Sequence, residues 1–522
     1  MTDAIVTASL VEIEDRCAVA DVRYDGIAIW PLVRFLLWGE ITRRYRPHLA
    51  AASGAPAMDQ RPAPSRGARR LARDLRPVSS IPGLLADPSL PSIPPPADLL
   101  FFVREEEHVE QVGGRGYAKI LDSLATLLRP EHALVKLELL SEEGYGERQL
   151  PTWRLPQETL LASGWMPGDV SRLDPNYGEL TGAIRSVGLT PPSPADIARW
   201  MCFIQHIADR AGNILQALSP RILLLSCYYH PIGMGLMLAC RQAGIVSVDV
   251  QHGRLGPYHG LYTQFTQVPA DGYALMPDHI WCWNTQTIAA IADGRSDNVP
   301  RHRGVLGGNP WLSLWTQGEG LPVAEADKRL FAERTIGRRL ILVSLQPADN
   351  PLPDSLLKAI RRAPADWLWL IRVHPLRRQN MVTISGILAD LADQVEIEQA
   401  TDLPLFWLLR RVSCHVTLFS SVAIEAAQFG VPTVLIDPEG AVTFADHIRS
   451  GRMVYERTAE GILARLHQLS AGQDQCFDTI EARCDTARQT MRTILEAASA
   501  TMPINHGNGV HDTKSATRPL TS

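Results

Sequence analysis

Residues 414–436, CHVTLFSSVAIEAAQFGVPTVLI, predict a strand, a helix and a second strand within one short stretch. Both strands are apolar almost throughout, and the helix between them is bounded by Ser-Ser and by Gly-Val-Pro. Strands of this kind occur in parallel sheets whose two faces are covered by helices. The stretch therefore predicts one β-α-β unit of a doubly wound sheet, in which ligands bind outside the carboxyl ends of the strands.

Apolar runs on the N-terminal side extend this pattern. Residues 340–345 (LILVSL) and 367–373 (WLWLIRV) predict two more strands, with a helix at 354–362 between them. A separate series of strands is expected from the apolar runs at residues 99–103, 132–140, 222–225 and 245–250. The predicted fold class is α/β, with two Rossmann-like, doubly wound domains facing across a cleft and an N-terminal helical extension.

Length and composition fit this organisation. The chain has 522 residues, of which 45% are hydrophobic and 20% charged, as expected for two large globular domains. With 51 Lys and Arg against 56 Asp and Glu, the net charge of −5 offers no general attraction for nucleic acid. We expect a helical extension packed on the first domain (1–49), a Pro/Ala-rich linker (50–97), a first Rossmann-like domain (98–310), a second one with closing helices (311–499) and a disordered tail (500–522).

Two dipeptides stand at predicted strand ends in the second domain. The strand at 367–373 leads into His374-Pro375, and the strand that starts at residue 414 leads into Ser420-Ser421. Ser421 should lie near the start of a helix, where hydroxyl and backbone N–H groups suit a phosphate. Glu425 follows one turn later on the same helix face and could accept hydrogen bonds from ribose hydroxyls. Alternatively, the two serines only cap a helix and His374 is an ordinary turn histidine. The placement of both dipeptides at strand ends favours a phosphate site.

These residues also carry a family resemblance. Arg372-Val373-His374-Pro375, followed by S-S-x-x-x-E-A-x-x-x-G-x-P-x-V from Ser420 to Val434, resembles the donor half of bacterial GT-B glycosyltransferases that build capsule and lipopolysaccharide. Capsule Kdo transferases and bacterial sialyl- and polysialyltransferases are the most similar groups. The resemblance covers residues 340–437 and implies that His374, Ser420 and Ser421 contact the phosphate of a CMP-sugar. The acidic D/E-D/E-G element of those families is not matched, because residues 24–26 are Tyr-Asp-Gly.

The first domain offers two candidates for the catalytic base. Gln251-His252-Gly253 follows the predicted strand at 245–250, where an imidazole could take a proton from an acceptor hydroxyl. Similar Q-H-G segments occur in surface-polysaccharide transferases, which favours His252 over a simple glycine turn, and places Gln251, Gly253 and His259 on the acceptor side. Glu106, in the acidic run 105–107, is the second candidate, with a solvated acidic surface as its alternative.

Two further segments, and the absence of a metal-binding motif, complete the description of the predicted site. Gly307-Gly308-Asn309 resembles the segment that joins the two halves in this superfamily, and predicts a hinge or donor loop. Gln346, at the end of a predicted strand, is a candidate nucleotide contact. The sequence contains no Asp-x-Asp, so no metal ion is expected, nor any cofactor besides the nucleotide-sugar co-substrate.

Together these features predict a cytoplasmic enzyme, a GT-B glycosyltransferase. It would move a sugar, with inversion and without a metal, from a nucleotide-sugar donor in the second domain to a surface polysaccharide or glycolipid acceptor in the first. The N-terminus lacks a secretory signal, and residues 27–38 are too few to span a bilayer. Peripheral contact of residues 24–45 with the inner membrane is the alternative to their packing on the first domain. Two rival functions stay open: a nucleotide-sugar 2-epimerase of the same fold, and a non-catalytic polysaccharide-assembly module.

Overall fold

The computed structural model describes most of the chain. The described residues are 2–45, 92–112, 114–140, 146–161, 168–253, 255–293, 301–316, 323–346, 352–469 and 484–501. Nearly all of the predicted linker (50–97) and of the predicted tail (500–522) therefore lies outside the described residues.

Most strands belong to two sheets, one in each half of the chain. Their bounds are β1 Arg23–Tyr24, β2 Ile27–Ala28, β3 Leu99–Val103, β4 Glu110–Val112, β5 Arg115–Tyr117, β6 Leu134–Leu140, β7 Trp153–Pro156, β8 Ile222–Leu225, β9 Val246–Val250, β10 His279–Cys282, β11 Arg303–Leu306, β12 Arg339–Ser344, β13 Trp367–Arg372, β14 Val395–Glu396, β15 Cys414–Thr417, β16 Thr433–Leu435 and β17 Met453–Tyr455.

Helices precede the first sheet, alternate with many of the strands and close the chain. Their bounds are α1 Thr2–Arg16, α2 Trp30–Tyr45, α3 Leu121–Leu128, α4 Tyr177–Ser186, α5 Pro194–Leu218, α6 Pro231–Ala243, α7 Thr285–Ala292, α8 Pro310–Thr316, α9 Glu325–Thr335, α10 Asp354–Arg362, α11 Met381–Ile387, α12 Glu398–Asp402, α13 Leu405–Leu409, α14 Val422–Gln428, α15 Pro438–Thr443, α16 Ala445–Arg449, α17 Ala459–Leu469 and α18 Cys484–Thr501.

Both large sheets are parallel and doubly wound. The first has the order β11-β10-β9-β8-β3-β6-β7, and the second β14-β13-β12-β15-β16-β17. In each, the strand that comes first along the chain lies beside the fourth, so that the winding direction reverses between β3 and β8 and between β12 and β15. Such switch points open a crevice at the carboxyl ends of the strands. The predicted fold class, two Rossmann-like domains of the GT-B-like kind with a helical N-terminal extension, is confirmed.

One of the buried apolar clusters spans the two domains. Phe101 of β3 and Trp311 of α8 belong to the same buried cluster as Leu342 of β12 and Phe406 of α13. The last helix, α18, returns to the first domain, where its Arg492 pairs with Glu131 at 2.9 Å. Of the closing helices expected within residues 311–499, α18 is therefore one that packs on the first domain.

A buried ion pair anchors the N-terminal helices. Arg34 of α2 and Glu14 of α1 are both fully buried, and their charged groups lie 3.5 Å apart. Arg34 also donates to the carbonyl oxygen of Gln264 at 2.8 Å, while Glu14 accepts from the N–H of Thr266 at 2.6 Å. Buried charges are tolerated when paired and hydrogen-bonded in this way. The apolar side chains of α2, among them Trp30 and Leu37, pack into the buried cluster of the first domain. No described helix is long and apolar enough to cross a bilayer.

Candidate functional site

Three neighbouring strands of the first sheet end in polar segments at its switch point. β3 leads into residues 104–108, β8 into 226–230 and β9 into 251–253. Since these strands lie side by side and are parallel, the segments meet at one edge of the sheet. We call the group formed there by Arg104, Glu107, Ser226, His230 and His252 the first-domain cluster.

Glu107 is the carboxylate of this cluster. Its Oε1 accepts a hydrogen bond from Arg104 Nε at 2.9 Å, and Ser226 provides a second hydrogen bond. Its side chain is only 15% exposed, and burial raises the pKa of Glu107 to about 7, although Arg104 opposes the shift. A carboxylate that titrates near neutral pH is suited to act as a general base.

His230 supplies a neutral imidazole beside it. Its Nδ1 accepts a hydrogen bond from the N–H of Gly233 at 3.1 Å, which caps α6 and leaves the ring proton on Nε2. Burial lowers the pKa of His230 to about 3, with Arg104 and His252 adding to the effect. The ring is therefore an uncharged donor at pH 7. Gly233 permits this close turn, because a Cβ there would lie 2.4 Å from the carbonyl oxygen of Tyr228.

Asp249 holds the loop that carries His230. Its carboxylate accepts from the N–H groups of Cys227 and Tyr228 at 2.9 and 3.0 Å, and from the Tyr262 hydroxyl at 2.8 Å. Cys227 has a φ of +68°, a left-handed conformation that is unfavourable for a residue other than glycine. Asp249 thus stabilises a strained turn and acts as a positioning residue for the cluster.

His252 lies beside an aromatic group. Its side chain is exposed, and desolvation by the surrounding protein, together with the charge of Arg104, lowers its pKa to about 4. The ring of Tyr229 lies 6.4 Å from that of His252 and 6.1 Å from Trp38 of α2. His259 contacts Trp38 edge-on at 4.7 Å, and burial lowers its pKa to about 4 as well. The N-terminal extension therefore forms part of the wall beside His252.

The other residues predicted for the site in the first domain have different surroundings from one another. Glu106 is 66% exposed and pairs with Arg104 at 2.9 Å, so Glu107, and not Glu106, is the carboxylate of the cluster. Gln251 is buried, and both ends of its amide are used within the protein: Nε2 donates to the carbonyl oxygen of Gly253, and Oε1 accepts from the N–H of Trp283. Gln251 and Gly253 thus brace the loop that presents His252.

The second sheet brings several predicted residues to its own switch point. β12, β13 and β15 are parallel neighbours, and they lead into Gln346, His374 and Ser420. The Nε2 of Gln346 is buried without a hydrogen-bond partner among the described residues. Burial lowers the pKa of His374, so its ring is mostly neutral at pH 7 and would offer a hydrogen bond, not a full charge. Pro375 follows in a 3₁₀ turn, Pro375–Asn380.

The serine pair begins the helix α14. Ser420 Oγ accepts from the N–H of Val422 at 3.3 Å. Ser421 is exposed, and its hydroxyl makes no capping bond to the helix. Glu425, predicted to bind ribose, instead accepts from Lys119 of the first domain at 2.9 Å, with both side chains less than one third exposed. In this structure Glu425 therefore links the two domains.

The predicted hinge segment is packed closely. A Cβ at Gly307 would lie 1.8 Å from the ring of Trp281, and Gly308 has a φ of +74°. Asn309 is buried, and its Oδ1 accepts from the N–H groups of Trp311 and Leu312 at the start of α8. These residues serve local packing and helix capping. Within the described residues, no group of three His, Cys, Asp or Glu side chains is arranged to hold a metal ion.

Comparisons with known proteins find similarity at the level of the fold. No protein-family model matches the chain, and no curated protein matches it significantly, so the Kdo- and sialyltransferase resemblance gains no support from these comparisons. Among solved structures, the UDP-GlcNAc 2-epimerase of Neisseria meningitidis bound to UDP-GlcNAc is 10% identical, with 77% of this chain and 99% of that chain covered and a TM-score of 0.47. The Methanocaldococcus jannaschii UDP-GlcNAc 2-epimerase is also 10% identical, with 76% and 99% covered and a TM-score of 0.48. A glycosyltransferase of kitacinnamycin is 12% identical, with 78% and 98% covered and a TM-score of 0.40.

Proposed function

We propose that the protein is an inverting, metal-independent glycosyltransferase that uses a nucleotide-sugar donor. The observation that carries the proposal is the placement of Glu107, a mostly buried carboxylate held by Arg104 and Ser226 at the switch point of the first sheet, where burial raises its pKa to about 7. An ordinary carboxylate is a weak base, whereas one that titrates near the working pH can remove a hydroxyl proton efficiently. Glu107 thus takes the role that the sequence suggested for Glu106 or His252.

The donor would lie against the second domain. Gln346, His374, Ser420 and Ser421 surround the switch point of the second sheet, where phosphate-bearing ligands bind in folds of this kind. The Ser421 hydroxyl and the neutral His374 ring can donate to a phosphate oxygen. The resemblance of residues 340–437 adds the finer proposal that the donor is a CMP-sugar and the acceptor a bacterial surface polysaccharide or glycolipid.

The proposed transfer is a single displacement. The acceptor hydroxyl oxygen attacks the anomeric carbon and gives its proton to Glu107, while the bond from that carbon to the phosphate oxygen breaks. The electron pair of that bond leaves with the phosphate, whose charge is stabilised by the donors of the second domain. Attack from the side opposite the leaving group inverts the anomeric centre.

A 2-epimerase is the second candidate, and one observation favours it. Glu107, His230 and His252 place a base and two neutral imidazoles at a single switch point. Removal of a proton at the sugar C2 and its return from the other face would require such a pair of groups, and no separate acceptor.

The test begins with a thermal-shift panel of CMP, UDP and GDP and their sugars, because a ligand of the native state raises Tm. The sugar that binds is then incubated with the protein, with and without bacterial polysaccharide and glycolipid fractions, and the products are separated by chromatography. Release of free nucleotide only with acceptor supports transfer. An epimerised nucleotide sugar formed without acceptor supports the second candidate, and binding of no nucleotide contradicts both in favour of a non-catalytic module.

A further inference from the structure

A cavity of about 790 Å³ lies beside the first-domain cluster. It is bounded by the β4–β5 hairpin and by residues at the ends of β3 and β6, and its volume is in the range of about 300–1,000 Å³ typical of small-molecule sites. Its wall includes the side chains of Phe102, Leu139, Gln157 and Leu161.

The cavity adjoins the proposed base. Arg104 is part of the cavity wall, and its Nε donates to Glu107 at 2.9 Å. On another side the wall includes Ile232, two residues beyond His230 at the start of α6. A ligand in the cavity would therefore lie against Arg104, the partner of Glu107, and against Ile232, which is close in sequence to His230.

The charges in the wall do not suit a phosphate. Arg148 is bound by the buried Glu138, with Nε to Oε2 at 2.9 Å, and Arg104 is paired with Glu106 and Glu107. Because these guanidinium charges are already neutralised, the wall has little attraction for an anionic group.

The same wall does suit hydroxyl groups. The carboxylates of Glu105 and Glu147 can accept hydrogen bonds, and the amide of Gln157 can both donate and accept. Leu161 and Ile232, which are partly exposed, add apolar surface for the C–H faces of a ring. Such a mixture of hydrogen-bonding and apolar groups fits a polyhydroxylated ligand.

A buried chain of polar contacts holds part of this wall in place. His108 Nε2 accepts from Lys136 Nζ at 3.0 Å, and Lys136 pairs with Asp122 at 2.5 Å. His108 Nδ1 lies 3.7 Å from Glu138, the partner of Arg148. Connected networks of this kind are rigid when satisfied, so the wall is preorganised for a ligand.

We propose that this cavity binds the terminal sugars of the acceptor saccharide and directs the reactive hydroxyl toward Glu107. The proposal deepens the transferase function above and rests on it.

The test uses the full-length protein on a glycan array of neutral, N-acetylated and acidic oligosaccharides. Gln157→Trp and Leu161→Trp narrow the cavity, and Gln157→Ala removes hydrogen bonds without adding bulk. Thr181→Trp is the matched control, since Thr181 belongs to the wall of a different cavity of about 470 Å³. The thermal shift caused by nucleotides is measured for every variant, as a check of folding and of the donor site.

The expected result is glycan binding by the wild type that is weakened about tenfold or more by the cavity variants and unchanged by Thr181→Trp. Nucleotide shifts should stay the same throughout. The acceptor proposal is overturned if the cavity variants that retain the nucleotide shift also retain glycan binding, or if the wild type binds nucleotide but no glycan. If the wild type binds no nucleotide, it is the proposed function that fails.

Discussion

Replacing Glu107 by glutamine is expected to remove activity and yet to stabilise the protein at alkaline pH. Burial raises the pKa of Glu107 from its ordinary 4.5 to about 7, which means that the folded protein disfavours the ionised carboxylate. Between these two pH values the native state holds a proton that the unfolded chain has released. The contribution of Glu107 to the stability of the wild type therefore falls as pH rises from about 4.5 to 7, and stays lowered above that.

The size of this effect follows from the two pKa values. Their difference corresponds to about 3 kcal/mol of unfolding free energy at pH 8. Glutamine cannot ionise, so the variant should escape this loss. We expect E107Q to melt several degrees above the wild type at pH 8 and at nearly the same temperature at pH 4.5, as measured by scanning calorimetry.

Glu106→Gln is the matched comparison, because Glu106 is the adjacent glutamate and is 66% exposed. Its substitution should alter the pH dependence of Tm far less than E107Q does. Equal melting temperatures of E107Q and the wild type at pH 8 would refute the reasoning, since the ionised carboxylate would then cost nothing in the folded state.

Three other substitutions test contacts around the site. Asp249→Ala leaves buried N–H groups without an acceptor, at about 1–3 kcal/mol each, and should lower the free energy of unfolding measured in urea by about 3 kcal/mol. Arg34→Met leaves Glu14 buried and unpaired and should cost about 3–5 kcal/mol in the same assay. Glu425→Gln should change nucleotide affinity, measured by titration calorimetry, by less than about threefold, because Glu425 pairs with Lys119.

Each of these substitutions has an outcome that contradicts its premise. A loss of only a few tenths of a kcal/mol at Asp249 or Arg34 would mean that the buried contacts are replaced, for example by water. A loss of nucleotide affinity of about tenfold or more in the Glu425 variant, equal to about 1.4 kcal/mol, would support the predicted contact of Glu425 with ribose. Glu439→Gln, at an exposed position on α15, is a suitable control for the Glu425 variant.

The fold class was predictable because the central strands are apolar on both faces. β3, β12 and β13 are buried almost throughout, and their sequences show it as unbroken runs. The β4–β5 hairpin escaped prediction, since it is short and carries Glu110 and Arg115. The parallel strands β10 and β11 were missed as well, because their four-residue sequences HIWC and RGVL give no clear periodicity.

The site was less predictable than the fold, because it depends on contacts between distant segments. Three consecutive glutamates gave no indication of which one turns inward; the 3₁₀ turn Glu105–Glu107 places Glu107 against Arg104 and Ser226. His230 was overlooked, although its position directly before a proline and a helix is a capping signal. The pairing of Glu425 with Lys119, 306 residues away, could not be read from local spacing.

The most direct test of the central claim is the turnover of Glu107→Gln beside Glu106→Gln, with the nucleotide sugar and acceptor that the wild type uses. Removal of a general base typically costs about 10²–10⁴-fold in rate. We predict a loss of that size for E107Q with nucleotide binding intact, and near wild-type turnover for E106Q. Full turnover by E107Q, or the larger loss in E106Q, would contradict the account.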